Sequence, residues 1–131
     1  MNRIDRIKIE SLLHEGLTEK VIGACFEVAN ELGAGFLESV YEKALLVALR
    51  QKGLRVEAQV SLKVKFRGVI VGEFFADILV DNKLIIELKT VSTLRPEHQA
   101  QVINYLKATD IDVGLLVNFG NPKLEYRRLH K

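Results

Sequence analysis

The sequence predicts an α/β (α+β) domain in which helices flank a mixed central sheet. Three observations support this prediction. Apolar residues recur at helical spacing in the first third of the chain, and the apolar period then changes to that of strands. The chain has 131 residues, of which 48% are hydrophobic and 27% charged, which is typical of one compact domain over residues 1–131. Because an apolar sheet must be covered, the helices are expected to pack on it in layers.

Two helices are predicted before the first strand. The first has apolar residues at three-and-four spacing over residues 21–32, with Thr18 as its N-cap and Gly33 at its end. The second covers residues 37–52. It is followed by Gly53, at a position that favours a left-handed residue.

The remainder of the chain has the period of strands, apart from one further helix. The predicted strands cover residues 56–60, 62–66, 69–80, 84–89, 113–119 and 124–129. Pro96 suits the first turn of a helix that runs to about Thr109. The predicted element order is therefore α, α, β, β, β, β, α, β, β.

Composition and charge limit the function classes. Cys25 is the only cysteine and lies in an apolar run, so we expect a buried thiol in a reducing cytoplasm and no zinc cluster. The first ten residues contain no apolar stretch, which predicts neither a signal peptide nor a membrane anchor. The net charge of +2 does not by itself indicate nucleic-acid binding. Basic residues do collect between Arg50 and Arg67, where solvated strand faces are the simpler interpretation.

A predicted hairpin over residues 74–89 carries three charged residues within otherwise apolar strands: Asp77, Glu87 and Lys89. A two-residue loop would place the two carboxylates on opposite faces of the sheet. A loop of three residues, 81–83, pairs Asp77 with Glu87 instead. That register also collects six apolar residues on the other face, namely Ala76, Ile78, Val80, Leu84, Ile86 and Leu88. The hydrophobic pattern therefore favours the three-residue loop.

In that register Asp77 and Glu87 are direct cross-strand neighbours, and Lys89 lies two residues further along the same face. Two carboxylates in a partly buried sheet repel each other unless one is protonated, water reaches both, or a cation lies between them. Oxygen ligands of this kind favour magnesium or manganese, and such an ion beside an ammonium group suits phosphodiester hydrolysis. The alternative is an exposed face on which Lys89 only forms an ion pair with Glu87.

These residues resemble a known superfamily. Asp77, followed after nine residues by Glu87-Leu88-Lys89, is similar to the motif of the PD-(D/E)XK nuclease superfamily. More narrowly, the segment that contains Gly35, Glu38 and Tyr41 resembles the GxxExxY signature of a small bacterial and archaeal family placed in that superfamily. The resemblance covers nearly the whole chain. It implies a restriction-endonuclease-like core of αβββαβ type.

The resemblance also implies functional roles. The implied metal ligands, for Mg²⁺ or Mn²⁺, are Asp77, Glu87, the Leu88 carbonyl and Glu38. The implied catalytic residues are Glu38, Asp77, Glu87 and Lys89. Spacing gives modest support to Glu38, since Glu42 lies one turn further along the same helical face. Relatives carry a histidine where this chain has Ala29, so any role of that histidine is absent here.

Three further residues are candidates for substrate binding. Gln101 and Tyr105 share a helical face and resemble the QxxxY element of RecB-like nucleases, although such a face is also common on protein surfaces. Tyr41 is the third candidate, and the alternative for it is a core aromatic whose hydroxyl group is hydrogen-bonded. His98 is interpreted as a surface or capping residue.

The sequence therefore favours a magnesium- or manganese-dependent nuclease that cleaves DNA with low sequence specificity. The expected partner is nucleic acid, with a homodimer or a recruiting protein as further possibilities and no membrane partner. One alternative is a nuclease-fold module that binds nucleic acid or protein without cleaving. Another is a metal-dependent hydrolase of a small phosphorylated molecule, which would need a closed pocket.

Overall fold

The computed structural model describes residues 14–131, so the expectation about the first ten residues lies outside it. These described residues form three helices and five strands: α1 (Glu15–Leu32), α2 (Glu38–Gln51), β1 (Val56–Phe66), β2 (Val69–Val80), β3 (Leu84–Lys89), α3 (Pro96–Lys107), β4 (Val113–Asn118) and β5 (Glu125–His130). The strands form one sheet in the order β1-β2-β3-β4-β5. Among these five strands the β3–β4 pair is parallel and the other pairs are antiparallel, and α3 forms the crossover between β3 and β4. The predicted mixed sheet with flanking helices is confirmed.

Helices cover both faces of the sheet. Apolar residues of α1 and α2, such as Val21 and Leu45, pack with Ile78 and Ile86 in the larger hydrophobic cluster. On the other face Leu106 of α3 packs in a smaller cluster. Every residue of β4 is buried, as its continuous apolar run predicts. Within residues 14–131 no helix has the length and apolar character needed to cross a bilayer.

Cys25 lies inside the larger cluster, where the sequence placed it. Its side chain is 1% exposed. Burial raises the pKa of the thiol to about 12, because the thiolate would lose its hydration. The thiol is therefore protonated at neutral pH and packs as a small apolar side chain.

The register of the β2–β3 hairpin is the one that the three-residue loop predicts. Ile78 pairs with Ile86, and Val80 pairs with Leu84. The turn is closed by a hydrogen bond in which the Lys83 N–H donates to the Val80 carbonyl over 2.9 Å. Asp81 and Asn82, which carry the turn, both have positive φ angles (50° and 54°). The hydrophobic pattern thus selected the observed alignment.

The predicted apolar face of this hairpin is wrong at Ala76. Ala76 packs in the cluster that contains Leu106, whereas Ile78, two residues later, packs in the cluster under α1 and α2. The β2–β3 pairing ends at Ile78, and the neighbouring strand has Gln59 in the left-handed region with φ 52°. At Gln59 in β1 and at Asp77 in β2, the side chains that follow therefore switch to the other face of the sheet. A strand pattern that alternates without interruption does not predict this switch.

The largest differences between the predicted and the observed element boundaries concern β1 and the start of α1. The two short strands expected over residues 56–66 form one continuous strand, β1. The first helix begins at Glu15 and its N-cap is His14, so the assignment of Thr18 as N-cap is wrong. Thr18 lies in the first turn, where its hydroxyl donates to the His14 carbonyl over 2.8 Å. A threonine hydroxyl can satisfy helical carbonyls as well as cap a helix, so sequence alone does not separate the two.

The segment that follows β3 is attached to the end of β4 by Asn118. This residue is fully buried and satisfies both ends of its amide. Its Oδ1 accepts from the N–H groups of Val91 (3.0 Å) and Gly120 (2.9 Å). Its Nδ2 donates to the Val91 carbonyl (2.8 Å) and to Glu125 Oε1 (3.1 Å). These bonds fix the chain directly after Lys89.

Glycine is required at position 120 because the backbone of the segment after β3 leaves no space for a side chain there. A Cβ atom there would lie 2.3 Å from the Val91 carbonyl oxygen and 2.6 Å from its nitrogen. Because both are backbone atoms, a side chain cannot be accommodated by a rotamer change.

We expect Gly120→Ala to lower the free energy of unfolding by about 1–3 kcal/mol, the range typical of overpacking. Chemical denaturation measures this directly. Gly23→Ala is the matched control, because nothing lies within 4 Å of a Cβ at Gly23 and alanine is favoured inside helix α1. A Gly120→Ala protein as stable as the control would contradict the close approach.

Candidate active site

Asp77 and Glu87 are joined by reciprocal contacts between β2 and β3. The Asp77 N–H donates to Glu87 Oε1 over 3.1 Å. The Leu88 N–H donates to Asp77 Oδ2 over 2.8 Å. Each carboxylate thus accepts from the backbone of the opposite strand, at the point where the regular pairing of the two strands has ended. The two acidic groups are held side by side, as the hairpin register predicts.

The ionised form of Glu87 is electrostatically unfavourable at its position in the folded protein. Its side chain is 4% exposed. Burial, followed by the adjacent charge of Asp77, raises the pKa of Glu87 to about 8, while the ammonium of Lys89 has a smaller opposing effect. Among the ion pairs of residues 14–131, none involves Asp77, Glu87 or Lys89. The alternative of an exposed face with a simple Glu87–Lys89 ion pair is therefore wrong.

A small acidic cavity of about 190 Å³ opens between this hairpin and α2. It is lined by Glu38, Ser39, Glu42, Gln59, Asp77 and Leu88. Glu38 begins α2, and burial and then the charge of Asp77 raise its pKa, while Lys89 lowers it. Glu38 and Lys89 therefore lie within electrostatic range of the acidic pair.

The expected cluster of three metal-binding carboxylates is not formed. Within residues 14–131, no three side chains of His, Cys, Asp or Glu are arranged as a ligand group for one ion. Glu38 lies on the exposed first turn of α2, close enough for the charge of Asp77 to raise its pKa, but it is not assembled with Asp77 and Glu87 as a ligand group. The side-chain ligands that lie together are the two acids of the hairpin.

Gln59 belongs to the site although the sequence analysis did not identify it. Its amide donates to Glu42 Oε1 over 2.8 Å and to Asp77 Oδ1 over 3.3 Å. Its backbone is left-handed, with φ 52°. A glutamine within an apolar strand pattern does not indicate such a conformation, so the sequence carries no signal for this role.

Helix α3 contributes Gln101 and Tyr105 from the other side of the acidic pair. Burial, followed by the charges of Glu87 and Asp77, raises the pKa of Tyr105, and a hydrogen bond with Gln101 partly opposes this effect. The Tyr105 ring stacks on Phe74 with centroids 3.8 Å apart and an interplanar angle of 11°. The structure therefore places Tyr105 close to the acids, and Gln101 is hydrogen-bonded to Tyr105.

Tyr41 does not line the site, which corrects the expectation that it binds substrate. It is fully buried and stacks on Phe119 at 4.8 Å. Its hydroxyl donates to the Gly33 carbonyl (2.6 Å) and accepts from the Phe36 N–H (3.2 Å). The alternative interpretation as a core aromatic with a satisfied hydroxyl is confirmed. Tyr41 fixes the turn that precedes Glu38.

His98 also has a structural role. Its Nδ1 accepts a hydrogen bond of 3.0 Å from the N–H of Arg95, the residue that precedes the first turn of α3. The interpretation as a capping residue is confirmed.

Comparison with known proteins identifies the family. A family model described as the PD-(D/E)XK nuclease superfamily matches residues 15–129, from the start of α1 into β5. The chain belongs to the PD-(D/E)XK nuclease superfamily. Members of this superfamily are generally nucleases, and the mixed sheet with flanking helices is consistent with its restriction-endonuclease-like core.

A solved structure shares this superfamily fold. The crystal structure of SSO0001 aligns with a TM-score of 0.55 and 18% sequence identity over 93% of this chain. The aligned region covers 61% of the SSO0001 chain, so the present chain spans about three fifths of that length. At this identity the likeness concerns the fold alone. A comparison with curated proteins gives no significant match.

The cost of burying Glu87 predicts that Glu87→Gln stabilises the protein in the presence of a chelator. Glu87 ionises near its ordinary pKa of 4.5 when unfolded but near 8 when folded, so wild-type stability falls between these pH values. We expect the free energy of unfolding of the variant to exceed that of wild type by an amount that grows from about pH 5 to about pH 8 and then levels off. This difference should reach on the order of a few kcal/mol. Thermal melts at several pH values measure it.

The matched control is Glu19→Gln, which removes an exposed carboxylate from α1. It should show no such growth with pH. An advantage of Glu87→Gln that is the same at every pH would contradict the raised pKa.

Proposed function

We propose that this chain is a nuclease that hydrolyses DNA phosphodiester bonds with a bound magnesium or manganese ion and with low sequence specificity. The observation that carries the proposal is the contact between Asp77, which is half-buried, and Glu87, which is buried. Two adjacent carboxylates of this kind are costly, and within residues 14–131 neither forms an ion pair with a basic side chain. A divalent cation bound between them would relieve the repulsion.

The oxygen atoms around the pair fit such an ion. Asp77 and Glu87 would supply carboxylate ligands, and the backbone carbonyl of Leu88 would add a third. Of these three residues, Asp77 and Leu88 line the acidic cavity. Glu38 is on the exposed first turn of α2 and would complete the set by turning its side chain toward Asp77. When bound, the ion would polarise a phosphate oxygen and lower the pKa of a bound water.

Lys89 is the proposed catalytic cation. It ends β3, is half-buried, and lies close enough to Glu38 and Glu87 for its ammonium to lower the pKa of both. An ammonium there can donate a hydrogen bond to a water molecule or to a phosphate oxygen and offset the negative charge that develops during hydrolysis. Its position also depends on the Asn118 attachment, which fixes the residues that follow it.

The GxxExxY signature fits the same proposal. Within this segment Glu38 lines the acidic cavity, and Tyr41 fixes the turn before α2 from the core. One residue of the signature would therefore act at the site and the other would position it. On this basis we assign the chain to the GxxExxY group of the superfamily.

Cleavage of circular single-stranded and double-stranded DNA tests the proposal. Wild type should cleave with magnesium or manganese and not with a chelator, and cleavage of circles would demonstrate internal attack. Asp77→Asn and Glu87→Gln should lower the rate on the order of a hundredfold or more, because each removes a proposed ligand while keeping side-chain size.

Asp110→Asn and Glu19→Gln are matched controls, since both acids are exposed and neither lines the acidic cavity. They should cleave like wild type. Folded wild type that neither cleaves nor binds either metal by calorimetry would overturn the proposal and favour a binding module with a nuclease fold.

Lys89→Ala should reduce cleavage by about 10²–10³-fold while leaving folding and metal affinity nearly unchanged, because the ammonium contributes to charge stabilisation rather than to the ligand set. Single-turnover cleavage and calorimetric metal binding separate these effects. Lys83→Ala, which changes an exposed lysine in the turn before β3, is the control and should retain full activity. A Lys89→Ala protein that cleaves at the wild-type rate would show that Lys89 is not catalytic.

A further inference from the structure

A second cavity lies next to the candidate active site, between the β1–β2 hairpin and the C-terminal half of α3. Its volume is about 790 Å³, compared with 190 Å³ for the acidic cavity. We call it the lysine groove. Its lining includes Lys63, Lys65, Phe74, Asn104, Tyr105 and Lys107. No acidic residue of the described part of the chain lines it.

The charge of the lysine groove is positive. Its three lysines are exposed. Lys63 forms an ion pair of 2.8 Å with Glu73, whereas Lys65 and Lys107 take part in none of the ion pairs within residues 14–131. Two ammonium groups are thus available on opposite walls, one on β1 and one at the end of α3. This arrangement is complementary to a polyanion such as a phosphodiester chain.

An aromatic surface connects this groove to the acidic pair. Phe74 and Tyr105 stack nearly in parallel in the groove lining. Tyr105 also lies close enough to Glu87 and Asp77 for their charges to raise its pKa. A ligand in contact with this ring would therefore extend toward the acids.

We propose that the lysine groove binds one strand of nucleic acid, with phosphates at Lys65 and Lys107 and an unstacked base against the Phe74–Tyr105 pair. A base within a duplex has both faces covered by its neighbours, whereas a base in a single strand can stack on an aromatic side chain. Stacking of this kind accepts any base, which agrees with low sequence specificity. The inference rests on the proposed function, because it names the form of substrate that reaches the acidic pair.

Fluorescence anisotropy with a labelled oligonucleotide in the presence of a chelator tests binding without cleavage. The combined variant Lys65→Gln, Lys107→Gln should bind a single strand about tenfold more weakly than wild type at low salt. It should also reduce the slope of log affinity against log salt by about 1.4, or 0.7 for each lost contact. An abasic strand should bind wild type about tenfold more weakly than the normal strand, because it lacks the stacked base.

The control is Lys20→Gln, Lys83→Gln, which removes the same charge from two lysines that line a different cavity. It should bind like wild type. Equal binding by both double variants would contradict the proposal that the lysine groove binds nucleic acid. Equal binding of normal and abasic strands by wild type would also contradict it. Tighter binding of a duplex than of its single strand would overturn the preference for one strand.

The outcomes for the groove and for the proposed function are separable. Binding that depends on Lys65 and Lys107 in a protein that cleaves no DNA would support the groove and contradict the nuclease proposal. Cleavage that depends on Asp77, together with binding that does not change when Lys65 and Lys107 are substituted, would support the nuclease proposal and contradict the groove proposal.

Discussion

The contact between the two acids of the β2–β3 hairpin is the constraint on which the remainder of the site depends. Asp77 and Glu87 each accept a hydrogen bond from the backbone of the opposite strand, which fixes two like charges side by side in a mostly buried place. This arrangement replaces ordinary strand pairing and raises the pKa of Glu87 to about 8. A purely structural hairpin gains nothing from such a pair, because two apolar residues would pack there without the repulsion.

The other parts of the molecule surround this pair from three directions. Helix α2 brings Glu38 from one face of the sheet, and Tyr41 in the core holds the turn that orients it. Helix α3 brings Tyr105 from the opposite face. Lys89 comes from the same strand as Glu87, and the Asn118 attachment fixes the chain that follows it. Both layers of helices therefore serve one location at the end of the β2–β3 pairing.

The sequence predicted the features that depend on pattern and spacing. The mixed sheet and the three-residue hairpin loop follow from apolar periodicity, and so does the element order, apart from the two short predicted strands that form the single strand β1. The register that brings the acids together follows from the loop. The sequence prediction failed where the backbone conformation of a single residue determines the local structure. Gln59 is left-handed, and the side chains of β2 switch face near Ala76. Packing between distant elements determines both features, and a local sequence pattern does not contain this information. Tyr41 was ambiguous for the same reason, since the period of α2 places it on the inner face without showing how deeply it is buried.

The two halves of the site differ in how far apart their residues lie along the chain. Asp77 and Glu87 are ten residues apart and meet when one hairpin closes, which has a small entropic cost. Tyr105 and the parallel pairing of β3 with β4 require the whole crossover through α3 to be in place. Local contacts form sooner than distant ones during folding. The contact between the acids therefore depends on one local hairpin, whereas the packing of α3 and the β3–β4 pairing are non-local contacts that must outweigh the repulsion between the acids.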